Sequence, residues 1–413
     1  MKVIVANYRF FVAGGPERYM FNFIAAAEKR GIEAIPFSVQ NPKNRATEYE
    51  AYFAKPRADA LLYSDTRRSL KNLYGIFRAT VWNFDAARRL RKLIRRTRPD
   101  AVYILHEINH LSPSIIHAAQ KEGIRVVHRI SDFFMFCAKY DFLCGEEICE
   151  ACLHGTYGKA LRRRCVKNSR SGTLLRILAM KLYQWNGVYK KVDLFITPSA
   201  FTKGKLVEGG VPAHKIIHIP TFTDSQAVVP CYSHEKYFLF MGRMAKQKGT
   251  IYAVRAMKEL KDSGYVMKIT GTLSDSEDDL QIKRYIAEHH LEEKIVFTGF
   301  LAGGQLHELV AHASCVVCPA IWYENMPNTV LEAYAHGKPV VASRLGSLAE
   351  IVEEGKTGFL FPPKDAHALA KQLERFVRDE GLSEKLGRKA REKCEKEYGE
   401  ELHMSRVISC LES

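Results

Sequence analysis

Short apolar runs alternate along this chain with longer segments in which apolar residues recur every three or four positions. The runs predict buried strands and the segments predict amphipathic helices. Strands are predicted at residues 3–6, 101–105, 125–130 and 194–197, and again at 238–241, 266–270, 295–298, 315–318, 340–342 and 358–361, with helices such as 18–30, 84–96 and 114–122 between them. Alternation of this kind predicts an α/β fold with parallel sheets covered by helices.

A chain of 413 residues is too long for one ordinary core, so two domains are expected. The first is predicted over 1–220 and the second over 232–395. Between them, the segment 220–234 carries Pro220 and Pro230 and has no clear period, as expected of a linker. A last segment, 396–413, contains a helix predicted at 400–411.

A candidate phosphate site begins after the strand predicted at 238–241, where Gly242 and Arg243 precede Lys248. Pro327 suits the first turn of a helix that begins near Asn328. The free N–H groups of such a helix form an anion site, and they are expected to belong to Asn328, Thr329 and Val330. Arg243 and Lys248 would supply the counter-charge.

Two carboxylates flank this helix start, Glu324 before it and Glu332 inside it. They are placed to accept hydrogen bonds from hydroxyl groups on either side of a diphosphate, as the sugar and the ribose of a sugar nucleotide would offer. The alternative is that both carboxylates lie on a solvated helix face without a function, because two Glu eight residues apart are common by chance. The order of these motifs along the chain, with the glycine and the two cations after a strand and the two carboxylates around a helix start, favours a sugar-nucleotide site.

With these motifs the chain resembles the retaining glycosyltransferases of family 4, which have the GT-B fold of two facing Rossmann-like domains; the resemblance is strongest over residues 238–363. It implies that Glu324 contacts the transferred sugar, Glu332 the ribose, and Arg243 and Lys248 the diphosphate, with no metal required for catalysis. It also implies that Gly14 and Gly15 lie near the donor, and that the last helix crosses back to the first domain. A plain strand-to-helix turn is the alternative for the glycines.

One position departs from that family. Its members often carry His followed by Asp at the mouth of a first-domain strand, and here Ser131 precedes Asp132. His128 lies three residues earlier, which reverses the face of an extended strand, so it is expected to be a strand or core residue. Ser131 is then a hydrogen-bond donor to a phosphate or sugar oxygen.

The net charge of +16 lies entirely in the first half: residues 1–200 hold 34 Lys and Arg against 17 Asp and Glu, whereas 201–413 hold 28 against 29. The basic stretches are 86–98 and 159–170. The first predicts either a helix resting on an anionic membrane surface or a helix docked on its own sheet with a solvated basic back. Nucleic acid is a less suitable partner because no nucleic-acid-binding motif is present.

Five cysteines fall within 29 residues, namely Cys137, Cys144, Cys149, Cys152 and Cys165. A reducing compartment is expected, and the spacing of Cys149 and Cys152 is typical of metal ligands. A structural zinc is therefore one interpretation, and a set of reduced thiols is the other; an iron–sulfur cluster fits less well. Family members with a similar insertion imply Cys137, Cys149, Cys152 and Cys165 as the ligands, in an insertion over about 137–170.

The N-terminus lacks the pattern of a signal peptide, and no apolar run reaches the length of a membrane span. The expected function is transfer of a sugar from a UDP- or GDP-sugar, with retention, to a lipid-linked glycan acceptor at the inner face of the plasma membrane. Two alternatives stay open: a nucleotide-sugar 2-epimerase of the same fold, and a non-catalytic subunit that binds sugar nucleotides or glycans. The sequence specifies neither the sugar, the acceptor nor the oligomeric state.

Overall fold

The computed structural model describes residues 1–56, 70–108 and 110–412. Numbered in chain order, its strands are β1 Lys2–Asn7, β2 Glu33–Phe37, β3 Ala101–His106, β4 Arg125–Arg129, β5 Leu143–Cys144, β6 Glu147–Ile148, β7 Leu194–Thr197, β8 Ile216–His218, β9 Tyr237–Met241, β10 Val266–Thr270, β11 Ile295–Gly299, β12 Cys315–Cys318, β13 Val340–Ser343 and β14 Gly358–Phe361. The helices are α1 Gly15–Glu28, α2 Leu70–Val81, α3 Phe84–Thr97, α4 Ser114–Lys121, α5 Tyr157–Arg162, α6 Arg170–Trp185, α7 Ala200–Glu208, α8 Thr250–Glu259, α9 Glu277–Glu288, α10 Gly304–Ala311, α11 Asn328–Ala335, α12 Leu348–Ile351, α13 Ala366–Arg378, α14 Leu382–Glu397 and α15 Glu400–Glu412.

Two six-stranded sheets organise the chain, in the orders β2-β1-β3-β4-β7-β8 and β11-β10-β9-β12-β13-β14. Neighbouring strands within each are parallel, and helices cover both faces, as the α/β pattern predicts. In each sheet the first strand along the chain lies between two later ones. This arrangement creates a crevice at the carboxyl ends of the strands, where α/β proteins bind ligands.

β2 is absent from the predicted set of strands because Pro36 interrupts its apolar pattern. The strand forms the edge of the first sheet and pairs with β1 alone, with Val5 opposite Pro36. An edge strand tolerates proline because one of its sides needs no hydrogen-bond donors.

The C-terminal helix α15 packs on the first sheet, although it follows the second sheet in the chain. Met404, Val407 and Leu411 are buried in the core that contains β1 and β3. His403 fastens the helix further, with Nδ1 2.6 Å from the Pro220 carbonyl and Nε2 2.9 Å from the Tyr19 hydroxyl. The helix therefore joins the end of the chain to the first domain.

Helix α3 resolves the two interpretations of the first basic stretch. Its apolar residues Leu90, Leu93 and Ile94 are buried in the core under the first sheet. Arg91 and Arg95 bind the Glu122 carboxylate at 2.6 and 2.9 Å. The helix is docked on its own domain, so its apolar face is not available to a membrane. Within the described residues, no helix combines the length and apolarity needed to cross a bilayer.

The segment after β4 forms a small subdomain from the β5–β6 hairpin and the helices α5 and α6. The hairpin reaches the second domain, where Glu146 binds Lys246 at 3.2 Å and Glu147 binds Lys364 at 2.7 Å. Leu143 packs beside Tyr252 and Ile321 of the second domain. The insertion is therefore a second bridge between the domains.

Candidate active site

A cleft of about 740 Å³ lies between the two domains. The first domain contributes the turn from β1 into α1 and the segment after β4. The second contributes the loops that follow β9 and β10, together with the start of α11. The cleft is thus formed at the carboxyl ends of both sheets, where the strand order predicts ligand binding.

Helix α11 points its N-terminus at the cleft. It begins at Asn328, directly after the extended Pro327, and has no side-chain cap. Asn328 and Thr329 line the cleft, where the unpaired N–H groups of a first helical turn are suited to bind an anion. The expectation is wrong for Val330, because its N–H donates to the Pro327 carbonyl at 3.1 Å and its side chain is fully buried.

Lys248 lies beside Glu324, and both residues line the cleft. Its Nζ is 2.6 Å from Glu324 Oε1, and Trp322 Nε1 donates to the same oxygen at 2.7 Å. Gly249 allows this approach: its φ is +72°, and a Cβ there would lie 1.9 Å from the Pro319 carbonyl oxygen. The loop after β9 is therefore fixed against the segment that carries Glu324.

Arg243 lines the cleft with an exposed side chain and follows Gly242, which also lines it. Across the cleft is Tyr140, whose pKa is raised by burial although Arg243 lowers it in part. In the part of the chain that the structure describes, Arg243 forms no ion pair. Its guanidinium is accordingly free to bind an anion.

Glu332 faces the first domain from the middle of α11. Arg18 of α1 reaches across the cleft and binds Glu332 Oε1 at 2.9 Å. Burial raises the pKa of Glu332, and Arg18 opposes the rise in part. This ion pair joins the two walls of the cleft.

Gly14 and Gly15 form the wall opposite α11. Gly14 caps α1 and Gly15 is its first residue, so two helix N-termini face each other across the cleft. A Cβ at Gly15 would lie 3.7 Å from Asn328 Nδ2. A larger side chain at Gly15 would therefore narrow the space beside the anion site.

Two histidines lie near the ends of β3 and β4, and the sequence analysis assigned a position to only one of them, His128. His128 is buried in β4, as expected of a core residue, and its Nε2 lies 3.1 Å from Glu107 Oε2. Ser131 lines the cleft and donates to the Leu105 carbonyl at 2.8 Å. At the end of β3, His106 Nε2 lies 2.9 Å from Oδ2 of Asp132, itself a cleft residue. Burial lowers the pKa of His106, but Asp132, together with Glu107 and Glu17, outweighs burial and the net shift is upward.

The five clustered cysteines share one small cavity, which all of them line. Burial raises the pKa of Cys137 to about 11 and that of Cys165 to about 12. Within the described residues, one group of three or more potential metal ligands has its ligand atoms within 4.8 Å of one another, and it consists of Glu150, His154 and Glu208. The sulfurs of the clustered cysteines do not form such a group. Lys205 already pairs with Glu150 and Glu208. A zinc held by Cys137, Cys149, Cys152 and Cys165 thus requires side-chain rotations that bring the sulfurs together.

Arg18, Trp322 and His106 are contact residues that sequence reasoning missed. Arg18 stands in the glycine-loop motif and Trp322 lies two residues before Glu324, so both were adjacent to assigned positions. His106 ends a strand whose neighbour ends near Asp132, and only the strand order brings the two together.

Residues 222–393 match the family described as "Glycosyl transferases group 1", and residues 13–227 match the one described as "Glycosyltransferase Family 4". The chain belongs to the family 4 glycosyltransferases. The two matches meet in the segment between β8 and β9. The group 1 match contains all six strands of the second sheet, and the Family 4 match contains every strand of the first sheet except β1.

Relatives of this family 4 chain agree with the assignment. It is 26% identical over 234 residues to the amylovoran biosynthesis glycosyltransferase AmsK of Erwinia amylovora, covering 54% of this chain and 57% of that protein. It is 30% identical over 168 residues to the alpha-maltose-1-phosphate synthase of Mycobacterium tuberculosis, covering 39% and 43%. The chain spans about half the length of the curated relatives it matches. The solved structure of HepE from Anabaena in complex with UDP superposes over 100% of this chain and 99% of that one, with a TM-score of 0.69 at 16% identity, which shows the shared GT-B fold.

Proposed function

We propose that this protein transfers a sugar from a UDP- or GDP-sugar to a hydroxyl group of a growing, lipid-linked glycan, with retention of configuration at the anomeric carbon. The observation that carries the proposal is the convergence of Lys248, Glu324 and the α11 N-terminus at one cleft. The cation and the anion-binding helix end suit the diphosphate of a sugar nucleotide, and the carboxylate suits its sugar. The UDP complex of the similarly folded HepE supports a nucleotide-sugar donor.

The leaving diphosphate is the group that gains charge during transfer. Arg243, Lys248 and the N–H groups of Asn328 and Thr329 surround the position assigned to it. Fixed donors and cations aimed at developing negative charge lower the barrier without reorganisation during the reaction. These groups take the role that a divalent ion plays elsewhere, so the proposed catalysis requires no metal.

Glu324 is assigned to the transferred sugar. Its carboxylate is mostly buried and is held by Lys248 and Trp322, so it is oriented before the donor binds. In this role it orients the sugar and stabilises positive charge at the anomeric carbon, without attacking that carbon. Glu332 is assigned to the ribose hydroxyls, with Gly14 and Gly15 allowing the donor to approach the first domain closely.

The acceptor is assigned to the first domain, whose cleft wall includes Ser131 and Asp132. Its excess of basic residues suits an acceptor that carries a lipid diphosphate at an anionic bilayer, and it supports a location at the inner face of the plasma membrane. Closure of the domains would bring acceptor and donor to reacting distance.

Thermal stabilisation by a panel of nucleoside diphosphates and sugar nucleotides tests the donor assignment. The expected result is an upward shift of the melting temperature with uridine or guanosine diphosphate and with their sugar conjugates, lost in Lys248→Ala. Stabilisation by none of them, or equal stabilisation of the wild type and Lys248→Ala, would contradict the assignment.

A further inference from the structure

We propose that the outer face of α5 and α6 docks this protein on an anionic lipid bilayer. The face comprises the exposed basic residues of 159–170 and the exposed stripe of α6 formed by Leu174, Leu178, Lys181 and Trp185. The proposal goes beyond the transferase assignment. It rests on that assignment in one respect: an enzyme with a lipid-linked acceptor has to work at a membrane.

Charge is the first observation. Residues 151–192 contain ten Lys and Arg and no Asp or Glu, in a chain that has 46 acidic residues in all. The six basic residues between 159 and 170 are exposed. Within the described residues, Arg162, Arg164 and Arg170 form no ion pair, whereas the arginines of α3 bind Glu122 and Asp85. The charge of these three arginines is therefore not neutralised by an ion pair with any described residue.

An apolar stripe lies on the same subdomain. Helix α6 buries one side, with Thr173, Ile177 and Met180, and exposes the other. Leu174, Leu178 and Trp185 on the exposed side are 46%, 53% and 85% accessible. Leu178 and Trp185 lie four and eleven residues after Leu174, with Lys181 between them, so the three side chains follow one line along the helix.

Aliphatic side chains beside unpaired arginines favour a lipid bilayer over a nucleic acid as the partner. Leu174 and Leu178 gain free energy from hydrocarbon, whereas phosphates and base edges of a nucleic acid offer them nothing comparable. Trp185 has the amphipathic ring that is enriched at the level of lipid headgroups. A helix with this composition lies in the plane of an anionic interface.

The position of α6 relates the face to the cleft. Arg176, on the buried side of α6, donates to the Phe134 carbonyl at 2.6 Å. The Phe134 ring contacts Tyr140, and Tyr140 contacts Trp322, the hydrogen-bond donor to Glu324. A bilayer on the outer side of α6 would therefore lie beside the cleft, where a lipid-linked acceptor can enter without leaving the membrane.

The test is sedimentation of the full chain with phosphatidylcholine vesicles that contain or lack phosphatidylserine. Arg162→Glu/Arg170→Glu should weaken binding to the anionic vesicles by about 30-fold, since each basic residue at such a surface contributes about fivefold. Leu174→Gln/Leu178→Gln should weaken it by about tenfold. The matched control Lys92→Glu/Arg96→Glu changes the charge equally on the exposed side of α3 and should change binding by less than about threefold.

Quenching by brominated lipid gives an independent readout, because a docked Trp185 should be quenched and Trp185→Gln should lose that signal. Equal weakening by the α3 control, or an unquenched Trp185 in bound protein, would overturn the proposal. So would variants that lose binding to single-stranded RNA while vesicle binding stays unchanged. Stabilisation by uridine or guanosine diphosphate, measured in the same variants, separates failure of this face from failure of the donor assignment.

Discussion

Substitutions at the two ends of the ion pair between Lys248 and Glu324 should affect binding of the nucleoside diphosphate differently. Lys248 is assigned to the diphosphate and Glu324 to the sugar, yet they contact each other at 2.6 Å. Lys248→Ala removes a cation from the phosphates, whereas Glu324→Gln removes the carboxylate that competes for that cation. We therefore expect Lys248→Ala to weaken binding of the bare nucleoside diphosphate and Glu324→Gln to leave it intact.

The magnitude follows from the burial of the two groups. A hydrogen bond to a charged group contributes about 1.5–3 kcal/mol. The Lys248 side chain is 23% exposed and that of Glu324 is 10% exposed, so solvent screening is limited but present. We take about 2 kcal/mol for the lost contact, which is about a 30-fold increase in Kd. Glu324→Gln should change the same Kd by less than about threefold while transfer falls by about a hundredfold or more, as when a single transition-state contact is removed.

Isothermal titration calorimetry with the nucleoside diphosphate that stabilises the wild type measures both effects. Lys246→Ala is a suitable control, because Lys246 belongs to the same loop but points to Glu146 and Asp278. It should bind within about threefold of the wild type. Equal losses of diphosphate affinity in Lys248→Ala and Glu324→Gln would refute the division of roles, and so would an unchanged affinity in Lys248→Ala.

Three further predictions concern separate parts of the molecule. Glu332→Gln should abolish the preference for a ribonucleoside diphosphate over its dideoxy counterpart in calorimetric titrations, because Glu332 is assigned to the ribose hydroxyls; a retained preference would reject that role. Purified protein should carry about one zinc per chain by elemental analysis, and Cys149→Ser should lose it and expose 137–170 to proteolysis while diphosphate binding persists; freely titrating thiols without metal would favour ordinary reduced cysteines. Burial raises the pKa of Glu107, but His128 and His106 outweigh it and lower the pKa to about 2, so the carboxylate stabilises the fold above about pH 4.5 and loses that contribution as the pH falls towards 2. Glu107→Gln should therefore cost about 3 kcal/mol in urea unfolding at pH 7 and much less near pH 3, and a cost independent of pH would contradict this sign.

Much of the fold follows from local pattern. The strands predicted at 194–197, 266–270, 315–318 and 358–361 have the observed limits, because each is a buried apolar run with clear ends. The spacing of apolar residues in α3 predicts a helix, but a helix docked on a sheet and a helix lying on a membrane have the same spacing. Only the buried state of Leu90 and Leu93 decides between them.

The second-domain half of the site was predicted better than the first-domain half. Lys248, Glu324 and Asn328 lie in short motifs whose residues meet within one domain. Arg18 reaches its partner across the cleft, so no local spacing could reveal the contact. Val330 was misplaced because the first turn of α11 closes with a bond between residues three apart, which uses its N–H.

The most direct test of the central claim is product analysis with the donor that stabilises the protein and with membrane extract as acceptor. We predict release of the nucleoside diphosphate and formation of a new glycoside, with the anomeric configuration of the donor by NMR, and neither product with Glu324→Gln. An altered sugar nucleotide formed without acceptor, a glycoside of inverted configuration, or binding without turnover would contradict the account.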